Sequence, residues 1–201
     1  PVSVELGTFS ISAPTWSNTN TITQTGGTLN YGGSFNLSNL GTFTRQPATI
    51  GSVNLTGTLT MGSLETLALD GANNGYGTWT LSGGTIVGGT VATTNGAQLR
   101  LAGGTLNGVT IGALSDVVTN SSTGTAVVNG LTLNGKITLG SANTASQGLD
   151  FNGSQTLGGG GEIVVGGNQG LWLNQANTQL TIGPNIRIHG STGGILASNG
   201  V

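Results

Sequence analysis

Residues 98–113 read QLRLAGGTLNGVTIGA, and this stretch predicts three short β-strands separated by turns. In the first strand, Leu99 and Leu101 lie two positions apart, so both side chains point to the same side. Glycines mark the corners: Gly103-Gly104 follows the first strand, and Gly108 separates the second strand from the third. Three flat strands joined by glycine corners predict one coil of a triangular β-prism.

The phrase Gly-Gly-Thr-aliphatic repeats along the chain, at residues 26–29, 83–86 and 103–106. The last two copies are 103 − 83 = 20 residues apart, and a period of this length indicates stacked coils. We therefore predict an all-β fold with almost no helix, a single-stranded right-handed parallel β-helix (β-solenoid) with coils of about 20–22 residues.

Apolar residues two positions apart recur through the chain and predict the core-facing side chains. Four such pairs are Leu99/Leu101, Leu131/Leu133, Leu149/Phe151 and Leu171/Leu173. Phe43 and Trp79, each flanked by threonines, are expected to fill the same core.

Regular repeats begin near residue 26, so we predict two parts: an irregular N-terminal strand or connector at 1–25 and a β-solenoid at 26–201. The chain begins with Pro1 rather than Met and shows no signal peptide, which we interpret as a mature product or an excised fragment. Residues 193–201 resemble another rung without a cap, since they contain neither proline nor a charge.

Composition excludes several classes of function. The four Lys and Arg residues do not cluster in the sequence, which argues against a nucleic-acid partner. Cysteine is absent, so disulfides, zinc-thiolate sites and thiol catalysis are excluded, and no apolar run is long enough to insert into a membrane. The six acidic residues are dispersed. We therefore expect no cofactor, no enzymatic activity and no site where three ionisable side chains converge.

Three residues are candidates for surface contacts. Alternation turns Arg187 and His189 to one outward face, where they could bind an anionic sugar. Trp172 lies between Leu171 and Leu173, so its indole is expected to point outward and to stack on a carbohydrate. Alternatively, Arg187 and His189 are ordinary surface residues, and a neighbouring loop covers Trp172.

Four strand-like segments carry threonines two positions apart, a pattern that ice-binding β-solenoids use. Threonine also favours strands and ladders with itself, so a structural ladder is the default interpretation. The eight residues are Thr21, Thr23, Thr42, Thr44, Thr58, Thr60, Thr78 and Thr80.

The repeats at 57–62, 131–135 and 179–185 resemble the Gly/Thr/Asn-rich β-strand repeats of large secreted bacterial surface proteins, namely autotransporter passengers and filamentous-haemagglutinin-like adhesins. The resemblance implies a right-handed parallel β-helix on the cell exterior that acts in adhesion, matrix building or polymer formation, and it carries over no catalytic residue. We predict a structural or adhesive extracellular unit of a bacterial surface protein or fibre. Its expected partners are further copies stacked head to tail, neighbouring repeats of a longer chain, or cell-surface glycans. A carbohydrate-binding or polysaccharide-degrading β-helix and an ice-binding β-solenoid are the alternatives.

Overall fold

The computed structural model describes residues 1–46, 50–119, 122–140, 148–167 and 169–197. These residues form short β-strands and one four-residue 3₁₀ turn, Leu37–Leu40. In chain order the strands are β1 (Val2–Val4), β2 (Thr8–Ile11), β3 (Thr21–Gln24), β4 (Thr28–Tyr31), β5 (Ser34–Asn36), β6 (Thr42–Arg45), β7 (Ser52–Leu55), β8 (Thr58–Thr60), β9 (Thr66–Asp70), β10 (Trp79–Leu81), β11 (Thr85–Val87), β12 (Thr90–Thr94), β13 (Leu99–Leu101), β14 (Thr105–Ile111), β15 (Asp116–Thr119), β16 (Thr125–Leu133), β17 (Lys136–Leu139), β18 (Leu149–Phe151), β19 (Gln155–Gly159), β20 (Glu162–Val165), β21 (Gln169–Leu173), β22 (Leu180–Ile182), β23 (Arg187–Gly190) and β24 (Gly193–Ala197).

The strands stack as a β-solenoid, as the repeats predicted, and the solenoid has about eight turns. Every strand pairing between them is parallel, and the partners come from successive coils. One sheet, which we call the nine-stranded face, has the order β2-β4-β7-β10-β13-β15-β17-β20-β23, and the other ladders form a three-stranded and a twelve-stranded sheet. Right-handedness remains the expectation from the general preference of crossover connections.

Coil length varies more than the predicted 20–22 residues. Leu99 pairs with Val117, a step of 18, whereas Val53 pairs with Trp79, a step of 26. The longer coil contains an insertion of residues 71–78 between β9 and β10. Extra residues therefore leave the solenoid at a corner, and the rungs stay in register.

The long strands β14 and β16 turn a corner without a loop. In β14 the register shifts between Asn107 and Val109, where Gly108 has φ +61°. In β16 the same corner is made by Asn129 and Gly130, with φ values of +58° and +84°. Asparagine and glycine tolerate this left-handed conformation, so a strand can bend here and continue on the next face.

The apolar pairs found in the sequence line the core. Of the eight residues, seven are buried and Leu173 is half-buried. Phe43 and Trp79 are also buried, and their rings meet edge to face at 6.3 Å. One core column of the nine-stranded face runs through Leu29, Val53, Trp79, Leu99, Val117, Ile137 and Ile163.

The segment 1–25 contributes regular rungs. Strand β1 pairs with β3, and β2 pairs with β4, which places both in the same kind of parallel ladder as the later coils. In the segment between β2 and β3, Trp16 packs on Phe35 of β5 with ring centroids 4.7 Å apart. The division of the chain at residue 26 stays a prediction.

Candidate functional site

A column of four charged residues runs along the outside of the nine-stranded face. Asp116 pairs in register with Lys136, Lys136 with Glu162, and Glu162 with Arg187. We call these four residues the charge column. Lys136 Nζ lies 3.3 Å from Asp116 Oδ1, and Gln98 donates a hydrogen bond to Asp116 Oδ2 at 2.6 Å. Charges therefore alternate in sign along the stack, although they are 20 to 26 residues apart in the sequence.

His189 joins the end of the charge column. Its Nε2 lies 3.2 Å from Glu162 Oε2, and Arg187 Nη1 lies 3.4 Å from the same oxygen. Three ionisable side chains thus converge, so the expectation that no such site exists was wrong. The acidic and basic residues are far apart in the sequence, but parallel stacking places residues of successive coils side by side.

This cluster combines two basic side chains with one carboxylate. Within the described residues, Glu162 is the only carboxylate that contacts Arg187 or His189. The cluster thus offers a ligand hydrogen-bond donors on Arg187 and His189 and a carboxylate acceptor on Glu162.

A groove of about 520 Å³ lies beside the charge column. Its rim includes Leu114, whose side chain is 96% exposed and whose φ is +61°. Leu114 is held out by a tight turn in which Ser115 N–H donates to the Gly112 carbonyl at 3.2 Å. Charged, amide and apolar groups thus share this groove, with Lys136, Glu162, Arg187, Asn134 and Asn185 among its lining residues.

Trp172 lies on a different sheet from Arg187 and His189. It is half-buried on β21, between Asp150 of β18 and Leu196 of β24. Its indole Nε1 is buried and has no hydrogen-bond partner among the described residues. The indole is therefore partly covered, and the structure does not bring it together with the two basic residues.

The eight predicted threonines do not form one column. Thr21 pairs with Thr42 and Thr23 with Thr44 on the three-stranded sheet. Thr58 and Thr60 lie on the twelve-stranded sheet. Thr80 lies on β10 of the nine-stranded face, and Thr78 immediately precedes that strand. A different threonine column, which the sequence pattern did not reveal, consists of Thr66, Thr90, Thr110 and Thr132.

No protein-family profile, curated protein or solved structure gives a significant match to this chain. No group of three or more His, Asp or Glu side chains in the described ranges is arranged to hold a metal ion. In the same part of the chain, no helix has the length and hydropathy to cross a membrane. The candidate site therefore rests on its own geometry.

Proposed function

We propose that this chain is a structural or adhesive unit of an extracellular bacterial surface protein or fibre, and that further β-rungs stack on its ends. Support comes from the distribution of residues: about half of the chain forms strands of the parallel ladders, and the sequence is rich in threonine and asparagine. Such a quasi-one-dimensional stack is suited to forming a long, stiff spacer.

The observation that carries the proposal is the exposed core column at β24, the last rung that the structure describes. Leu149, Leu171 and Ile195 are neighbours in register on successive coils. The first two are fully buried, whereas Ile195 is 50% exposed. The same happens at the first rung, where Phe9 is 40% exposed while its partner Leu29 is buried.

Both ends thus combine exposed apolar side chains with a strand edge that can pair further. Unpaired edges are templates for strand addition, and an additional rung would also bury Ile195 or Phe9. Neighbouring repeats of a longer chain or a second copy of the chain would supply that rung. A contact from the last rung to the first rung of the next copy does not close, so it would propagate into a filament.

Light scattering and electron microscopy at increasing protein concentration test self-association. We expect filaments from the parent chain and their loss in Ile195→Lys, because a lysine would place a charge in the buried contact. Leu64→Lys is the matched control: Leu64 is 97% exposed at a corner between β8 and β9, away from both end rungs. A concentration-independent monomer, or equal loss of filaments in both variants, would contradict head-to-tail stacking.

Glycan binding is the second candidate, and it is favoured by the convergence of Arg187 and His189 on Glu162 beside the groove. Calorimetry with acidic and neutral oligosaccharides would detect it, and Arg187→Gln should weaken binding of the acidic ones. Assay of reducing ends on the same samples separates binding from degradation. The ice-binding alternative stays a prediction that a thermal-hysteresis measurement would check.

A further inference from the structure

Arg45 is a buried cation at the end of β6. Only 2% of the residue is exposed, and its side chain is fixed by main-chain carbonyls. Nη1 donates to the oxygens of Tyr76 (3.1 Å) and Thr78 (3.3 Å), and Nη2 donates to those of Ile50 (2.6 Å) and Gly51 (3.0 Å).

These carbonyls satisfy hydrogen bonds but do not neutralise the charge. No carboxylate in the described ranges forms an ion pair with Arg45. The Nε atom is buried and lacks a hydrogen-bond partner among the same residues. A buried charge without a counter-charge is costly, and burial lowers the pKa of Arg45 from its ordinary value. An anion placed near this guanidinium would remove part of that cost.

A cavity of about 260 Å³ lies next to Arg45, which we call the Arg45 cavity. Arg100, an exposed residue of the nine-stranded face, lines the cavity together with Arg45. Two of the four Lys and Arg residues of the chain therefore meet at one cavity. Ser52, Thr80 and Asn95 add hydroxyl and amide groups to its wall.

Asp70 contacts a residue of the cavity wall, and its carboxylate already accepts two hydrogen bonds. Asp70 accepts hydrogen bonds from Asn95 Nδ2 at 2.7 Å and from the Ala72 N–H at 2.8 Å, and it does not line the cavity. These hydrogen bonds lower the pKa of the Asp70 carboxyl. Asp70 thus orients Asn95, and both guanidinium groups remain without a carboxylate partner at the cavity.

We propose that the Arg45 cavity binds a small oxyanion, namely a carboxylate, sulfate or phosphate group, free or carried by an acidic sugar. Guanidinium groups present paired N–H donors that match such groups. In this arrangement Arg45 supplies the buried charge, Arg100 closes over the anion from the solvent side, and the neutral groups of the wall complete its hydrogen bonds. The site lies on the nine-stranded face at a different place from the charge column.

Calorimetry with sodium sulfate and with sodium glucuronate, against chloride at equal ionic strength, tests the proposal on the whole chain. Glucose is the neutral control for glucuronate. We expect saturable binding of one anion per chain and about a tenfold or greater weakening in Arg100→Gln, because one charge-assisted contact is lost. Arg100 is exposed, so this variant should fold like the parent.

In the sulfate titration, Arg187→Gln is the matched control, since it removes an exposed arginine from the same face but not from the cavity; glucuronate is not used for this comparison, because acidic sugars are also candidate ligands at Arg187. Retained binding in Arg187→Gln with weakened binding in Arg100→Gln supports the proposal. Equal weakening in both variants would indicate general charge attraction and overturn it. Absence of binding by the parent, or unchanged binding in Arg100→Gln, would also overturn it. Binding of sulfate without glucuronate would identify a free inorganic anion as the ligand.

Discussion

Reversing the charge of Lys136 should destabilise the solenoid in a manner that salt relieves. Lys136 lies between Asp116 and Glu162 in the charge column, with its Nζ 3.3 Å from the Asp116 carboxylate. Lys136→Glu would place three carboxylates on consecutive rungs. Two attractive neighbours would then become two repulsive ones.

The size of the effect follows from the spacing of the rungs. Unit charges about 4.8 Å apart interact by about 0.9 kcal/mol in water. With the dielectric constant of water, reversing both interactions of Lys136 changes the free energy of unfolding by about 3.5 kcal/mol before screening by salt and side-chain mobility is counted. These side chains are partly exposed, and exposed ion pairs contribute roughly 0.2–1 kcal/mol. We expect a loss of about 1–2 kcal/mol at low salt and under about 0.5 kcal/mol in about 1 M salt.

Urea unfolding followed by circular dichroism at both salt concentrations measures this difference. Lys136→Arg keeps the charge and should leave stability unchanged, whereas Lys136→Gln removes only the attraction and should show about half the low-salt loss. If Lys136→Glu were equally destabilised at both salt concentrations, the effect would come from packing, and the electrostatic account of the charge column would be refuted.

Two further predictions concern the core and pH. Leu133→Ala should lower the free energy of unfolding by about 2–5 kcal/mol in urea titrations, because Leu133 is fully buried. The control Leu64→Ala should stay within about 0.5 kcal/mol of the parent. Equal effects of the two substitutions would contradict the coil register. Burial raises the pKa of the Asp150 carboxyl, and a hydrogen bond with Asn174 lowers it by less. An acid whose pKa is raised by folding loses stability as it ionises, so Asp150→Asn should be more stable than the parent at pH 7, and the gain should vanish below the unfolded-state pKa of about 3.9. A gain that persisted at lower pH would show that ionisation is not its cause.

The local pattern was sufficient to predict the fold. Alternation at Leu99 and Leu101, with glycine corners after it, defines a rung whose side chains point inward. The alternation could not predict the length of each coil, because residues such as 71–78 extend outward at a corner without interrupting the alternation on either side. Pairing of strands between coils is decided by the three-dimensional register.

The sequence analysis did not predict the charge column, because the pairing of its residues also depends on which coils lie side by side. The sequence nevertheless contains a signal for it. Each charged residue immediately precedes an aliphatic residue of the core or packed against it: Asp116 comes before Val117, and Lys136 before Ile137. Aligning the rungs by their apolar pairs, rather than by a fixed period, would have placed the charges in one column. Alternation after Phe43 places Arg45 on the inward side of β6. The local pattern could not show what receives its guanidinium, because the carbonyls belong to two later segments, at residues 50–51 and 76–78.

Contacts between successive coils also determine how this molecule would respond to force. Each rung pairs only with the coil before it and the coil after it, so a pull on the last strand loads one ladder at a time. Coils of 18 to 26 residues would each release roughly 60–90 Å of extended chain when they detach. The solenoid would thus yield in successive steps of unequal length, dissipating mechanical work while the remaining coils stay folded.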